Sequence, residues 1–144
     1  MSILIDFERD TEFSFERRLR SYVGAVARAV GVGFESCTLD TGTPAAAYIA
    51  LDWRLSRFPG HDLALVWDEV HGWAAAIEDA TGATVLTHLG GEVFPEPRAV
   101  VRFLAAVRAH DPDAGTLEAP VLREAGDHER LLAQVPEATP AGRG

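Results

Sequence analysis

HDLALVWDEVHGWAAAIED, residues 61–79, is the stretch whose reading decides the fold. Leu63, Leu65 and Trp67 share one parity, and so do Trp73, Ala75 and Ile77 beyond the polar Asp68–Gly72 step. Successive side chains of a strand point to opposite faces, so each triplet lines one side of a sheet. Gly72 tolerates a positive φ and suits a hairpin loop of three to five residues closed by a bulge. Any register that pairs residues of even summed number sets Trp67 and Trp73 on one face. Such an aromatic pair contributes about 0.5–1.5 kcal/mol beyond its area burial. Whether it is core or surface platform depends on which face the helices cover.

Working outward, residues 45–52 form a second strand, with Ala47, Ile49 and Leu51 alternating with Ala46, Tyr48 and Ala50. Residues 84–89 follow the Thr81-Gly82 turn as a further strand, ended by Gly90-Gly91. Before the sheet, Phe15, Leu19, Tyr22, Val23, Val26 and Val30 recur at helical spacing over residues 14–30. Ser14 reads as its N-cap and Gly31 as its stop. After the sheet, a helix begins at Pro95 or Pro97 and runs to His110, with Val100, Phe103, Leu104 and Val107 as its stripe. Residues 33–44 read as a polar connection. Short links make neighbouring strands antiparallel. The expected class is α+β: a three- to four-stranded antiparallel meander with one helix before and one after, both on one face. The other face would be partly open, and the alanine-rich parity of the strands could let something pack close. Residues 1–13, alternating Ile3, Ile5 and Phe7 with Asp6, Glu8 and Asp10, read as an edge strand or docking arm. Residues 14–110 form the domain. Residues 111–144 are an acidic, proline-rich, solvated tail with a short helical piece over 127–135.

The chain has 144 residues, 47% of them hydrophobic and 24% charged, which suffices for one core without metal or disulfides. One cysteine, Cys37, permits no internal disulfide and fits a reducing compartment. MSILIDFERD lacks the basic start and apolar run of a signal peptide, and no run reaches membrane-spanning length. The expectation is a cytoplasmic protein with no membrane partner. Net charge is −9, which repels nucleic acid. All 13 basic residues are arginine, so chemistry that needs a lysine amine is ruled out.

The segments YIALD (48–52), FPGHD (58–62), WDEVHGW (67–73) and GGEVFPEP (90–97) together resemble a family of small uncharacterised actinobacterial proteins. The resemblance covers residues 17–110. It implies a GC-rich actinobacterial source and a cytoplasmic setting, and brings no reaction, ligand or partner with it.

Candidate sites follow from the residues themselves. Asp52, Trp53, Arg54, Arg57, Phe58, His61 and Asp62 place two arginines, two aromatics and a histidine in one loop. Arginine forks there could hold a small anionic ligand, or the charges could pair with one another and the aromatics cap the core. The tip Asp68-Glu69-Val70-His71-Gly72 could do acid–base work, but hairpin tips usually sit in water, so a polar turn is the plainer reading. His61, His71, His88, His110 and His128 lack metal-ligand spacing; no metal or other cofactor is expected. Cys37 reads as inert. Gly31-Val32-Gly33 follows a helix rather than a strand and so terminates it instead of cradling phosphate. Arg17, Arg20 and Arg28 share a solvated helix face. No catalytic residue is assigned. Two functions of different class stand. One is a non-enzymatic interaction or regulatory module that engages a protein partner through the Trp67/Trp73 face, the open strand edges or the tail, or a second copy through that face. The other is a binding protein or enzyme for an anionic small molecule at Trp53, Arg54, Arg57, Phe58 and His61.

Overall fold

The computed structural model describes residues 3–136, with side chains from residue 12 onward. It is α+β. Helix α1 (Ile3–Val30) leads into a 3-10 turn (Phe34–Ser36) and strands β1 (Cys37–Asp40), β2 (Ala46–Ala50), β3 (Leu63–Asp68), β4 (Gly72–Asp79) and β5 (Gly82–His88). Helices α2 (Pro97–Arg108) and α3 (His128–Gln134) follow. The five strands form one antiparallel sheet in chain order. In β3 and β4, Trp67 stands directly opposite Trp73 and Asp68 opposite Gly72. The hairpin loop is therefore Glu69-Val70-His71, and Gly72 has φ +73°.

The sheet has one strand more than expected. β1 lies in the supposed polar connection 33–44, where Cys37 and Leu39 alternate with Thr38 and Asp40. An edge strand that is half solvated shows only two apolar residues, too short a pattern to read as a strand. At the far edge, the pairing of β4 with β5 shifts register between Ala75 and Ala76. The extra residue, Leu86, packs partly against the core.

All six apolar residues named for α1 are buried, as are the four named for α2. They share one core with Ala45, Ala47, Ile49, Leu51, Leu63, Leu65, Trp67, Trp73 and Ala75, all of odd number. The helices thus cover the odd face. α1 ends as the glycine predicts: Gly31 takes φ +96°, Val32 N–H donates to Ala27 O and Gly31 N–H to Arg28 O.

The two ends depart from expectation. The edge strand proposed over residues 1–13 is helix from Ile3, and Ser14 lies inside α1 instead of capping it. No glycine or proline interrupts residues 3–13, so the helix of residues 14–30 extends back through them. The side chains of Ile3, Ile5 and Phe7 lie outside the described ones. The supposed solvated tail is tied down as far as Val135. Thr116 bridges His88, Leu122 N–H donates to Val70 O, and Leu131 and Val135 join the core. The expected helical piece is α3. Residues 137–144 of the tail lie outside the described ones.

Candidate functional site

Trp67 and Trp73 are core residues, 2% and 1% exposed. Each satisfies its indole N–H internally. Trp67 Nε1 donates to Val93 O at 2.8 Å, and Trp73 Nε1 donates to the Tyr22 hydroxyl at 3.0 Å, which donates in turn to Pro95 O at 2.6 Å. Trp67 stacks on Phe94 at 5.3 Å, and Phe94 meets Tyr22 edge-on at 5.2 Å. The pair therefore fastens α1 and the Val93–Pro95 connection to the sheet. This corrects the sequence reading of a tryptophan docking face: the helices cover that side, and no partner reaches the indoles.

The loop over residues 52–62 is closed at its neck, where Leu63 N–H donates to Trp53 O and Leu51 N–H to Leu63 O. Its charges are used within it. Arg54 Nε donates to Asp62 at 2.9 Å and its Nη1 to Pro59 O at 3.2 Å. Arg57 lies over the Phe58 ring, 5.9 Å from its centroid, and Arg108 of α2 lies 4.5 Å over Trp53. His61 Nδ1 bonds Glu78 O at 2.8 Å. Trp53 and Phe58 pack against the core from its rim. The structure thus brings Arg54 and Asp62 together, but the two arginines do not converge on a common point. The loop is built to hold its own shape.

The hairpin tip is not a plain polar turn. Asp68 caps it, with Oδ1 accepting from the backbone of Val70 and His71 and Oδ2 lying 3.0 Å from His71 Nδ1. Glu69, expected in water, is fully buried. Its Oε1 accepts from Ala45 N at 2.8 Å and meets His128 Nε2 at 3.0 Å. Its Oε2 accepts from Arg123 Nη1 and, at 3.2 Å, from Gly126 N. Burial alone pushes this carboxyl up. The Ala45 bond, His128 and Gly126 outweigh burial and hold it below the ordinary range. His128 stacks on Phe15 at 4.5 Å and turns Nδ1 to Glu12 at 3.3 Å. Sequence spacing carries no sign of this cluster, since its members are 54 and 59 residues apart. It is a clamp that binds the C-terminal segment to the hairpin and to α1.

Other candidate chemistries find no setting. The Cys37 thiol is pushed up by burial and then by Glu35, so its nucleophilic thiolate is scarce. His88 is held below its usual value by burial and then by His71, and its Nδ1 is buried without a hydrogen bond. Among the described residues no group of three or more His, Cys, Asp and Glu side chains is placed to hold a metal ion. On α1, Arg20 pairs with Glu16 at 3.3 Å and Arg17 lies over Phe13, an ordinary solvated face.

What remains is the even-numbered face of the sheet. Register sets three rows across it: Asp40–Ala46–Asp68–Gly72, Thr38–Tyr48–Val66–Ala74–His88 and Ala50–Ala64–Ala76–Val85. The Tyr48 hydroxyl donates to Glu78 on β4, so its ring reaches over β3. Ala64 and Ala76 lie on this face between the two and are fully buried. Their small size lets the ring lie flat, and burial, then Glu78, pushes the phenol up. Beside this roof, Thr38, Asp40, Ala46, Tyr48, Val66 and Asp68 line a shallow groove. At the other edge Val85 is 43% exposed. The alanine parity was readable in the sequence, whereas the tyrosine strut was not.

Among the described residues no helix is long and apolar enough to cross a membrane. No curated protein and no solved structure matches the chain. A family model does match residues 22–106, from the Tyr22 anchor on α1 through the whole sheet to α2, and the chain therefore belongs to DUF6292, a family of unknown function.

Proposed function

We propose that this chain is a non-enzymatic protein-interaction module that works in the cytoplasm and docks its partner on the helix-free face of the sheet. One observation carries the reading. Every helix of the described residues lies on the odd face, which leaves Ala46 and Val66 half-buried and Val85 exposed on the other. A sheet with one apolar side buried and one small-residue side open can accept a flat surface closely. The most deeply buried titratable group, Glu69, supports the same reading, because it is occupied in holding the chain together. A regulatory role follows if docking competes with another partner. An anionic small molecule at residues 52–62 has less behind it, since Arg54 is already bonded to Asp62 and Pro59.

The test places a photo-reactive phenylalanine analogue at Val66, on this face, or at Arg102, on the solvated side of α2. The protein is then irradiated in its own host. The expected result is one discrete adduct from position 66 and none from 102. Adding Ala46→Glu beside position 66 should abolish that adduct while the unfolding midpoint stays unchanged. Identical labelling from both positions, or an adduct indifferent to Ala46→Glu, would overturn the reading.

A further inference from the structure

Charge is segregated in this molecule in a way that names the kind of partner. The five strands contain Asp40, Asp68, Glu78 and Asp79, and not one arginine or lysine. The arginines of the described residues lie on the helices and in the loops, on the far side of the sheet or at its rim. On the open face this becomes a defined shape. Ala46 is register partner to Asp40 on one side and to Asp68 on the other. Two carboxylates thus flank one methyl group, on strands about 10 Å apart, or two strand spacings.

Both carboxylates hold their own turns and still reach solvent. Asp40 is exposed and spends Oδ1 on Gly42 N at 2.9 Å. Asp68 spends Oδ1 on Val70 N and His71 N and sets both oxygens against His71 Nδ1, with its side chain still 33% exposed. The groove floor between them is apolar, formed by Ala46 and Val66, and Tyr48 closes one end.

We infer that the occupant of this groove is an arginine-bearing segment of a partner protein, with the arginine stem laid on Ala46 and Val66 and its guanidinium shared between Asp40 and Asp68. The inference rests on the docking function proposed above and specifies its partner. Arginine fits better than lysine on physical grounds. Its planar fork can meet two carboxylates at once, it stacks on an aromatic such as Tyr48, and its stem covers apolar surface. Charge also argues against a second copy of this chain, whose net charge is −9. Like-charged surfaces suppress such pairing, and cationic segments are steered towards it.

The probe is N-acetyl-arginine methylamide, titrated into the full chain and followed by amide NMR. The lysine and citrulline analogues serve as controls. Saturable shifts confined to Thr38–Asp40, Ala46–Tyr48 and Val66–Asp68 are expected with arginine. They should be weaker with lysine and lost with neutral citrulline. Asp40→Asn and Asp68→Asn each keep the turn hydrogen bonds, and each should weaken binding about threefold to fivefold, the range of a solvent-exposed ion pair. Shifts spread over the acidic residues at large, such as Asp111, Asp113 and Glu129, would overturn the inference, as would none at all. The position-66 adduct separates this idea from the one beneath it. If it persists in Asp40→Asn and Asp68→Asn and in high salt, docking stands and the cationic partner falls. If it never forms, docking itself falls. An adduct between two copies of this chain would likewise sink the arginine-bearing partner.

Discussion

The odd and even faces of the sheet are made from alternate residues of the same strands, yet they solve opposite problems. The odd face carries large apolar side chains and two tryptophans whose N–H groups must find partners once water is gone. Val93 O and Tyr22 supply them. The even face carries alanines, a valine pair, carboxylates and His88, and its largest side chain, Tyr48, reaches along the sheet to Glu78. Size decides the difference. Bulky residues demand a helix layer to exclude water from them, whereas a methyl-lined face needs only one tyrosine ring over part of it. The contrast shows that alternation alone marks a strand as two-sided, while residue volume marks which side the protein keeps for itself.

The sharpest way to break this comparison is Trp67→Ala. It removes the largest buried side chain of the odd face and orphans Val93 O, and it should cost about 3–5 kcal/mol. Urea unfolding followed by far-UV circular dichroism reads it; a loss under 1 kcal/mol would mean the helix layer does not depend on the indole.

Next comes the clamp at the hairpin tip. Glu69→Gln leaves the part-buried Arg123 guanidinium without its counter-charge, for a loss of about 3 kcal/mol at neutral pH. Hydrogen exchange should then quicken over residues 122–135 ahead of the sheet. The pH dependence has a definite sign. The folded-state carboxyl is held below the ordinary value of 4.5, so its contribution is fully present above that pH. It is lost as pH falls through the folded value, because the unfolded chain takes up the proton first. The gap between wild type and Glu69→Gln should therefore narrow on acidification below 4.5. A constant gap would place the clamp's strength elsewhere.

Ala64→Val sharpens the even side. Two added methyl groups beneath the Tyr48 strut should cost about 1–3 kcal/mol by overpacking. The same change would stabilise an ordinary strand position through its β-propensity, so a gain in thermal midpoint would show that the ring does not lie over Ala64. The smallest effect is expected at the rim. Val85→Ser, on an exposed edge, should change stability by less than about 0.5 kcal/mol.

Much of the fold was legible. The parity of residues 63–67 and 73–77 named the hairpin, a loop of three to five residues and the shared face of Trp67 and Trp73. Helical spacing named ten buried apolar positions of α1 and α2, and Gly31 marked the end of α1. Less of the site was legible, for identifiable reasons. Arg54, Arg57 and His61 were recognisable as chemistry-bearing residues, but residue type does not tell whether an arginine is free or already bonded to Asp62. Glu69 looked like a solvated tip because its partners, Arg123 and His128, sit in a segment whose composition reads as tail. β1 hid because an edge strand needs only one partner and only a weak pattern.

By itself, then, the sequence determined what local physics can determine: where strands alternate, where helices start and stop, and which residues must leave water. Only the tertiary structure decided which face the helices would cover, and with it that the tryptophans are core while the alanine-rich side carries no helix layer. It also decided that the most buried charge would lie at a hairpin tip. Periodicity is a property of neighbouring residues. The layer order and the buried ion cluster are set by contacts between segments more than fifty residues apart, and no local pattern records them.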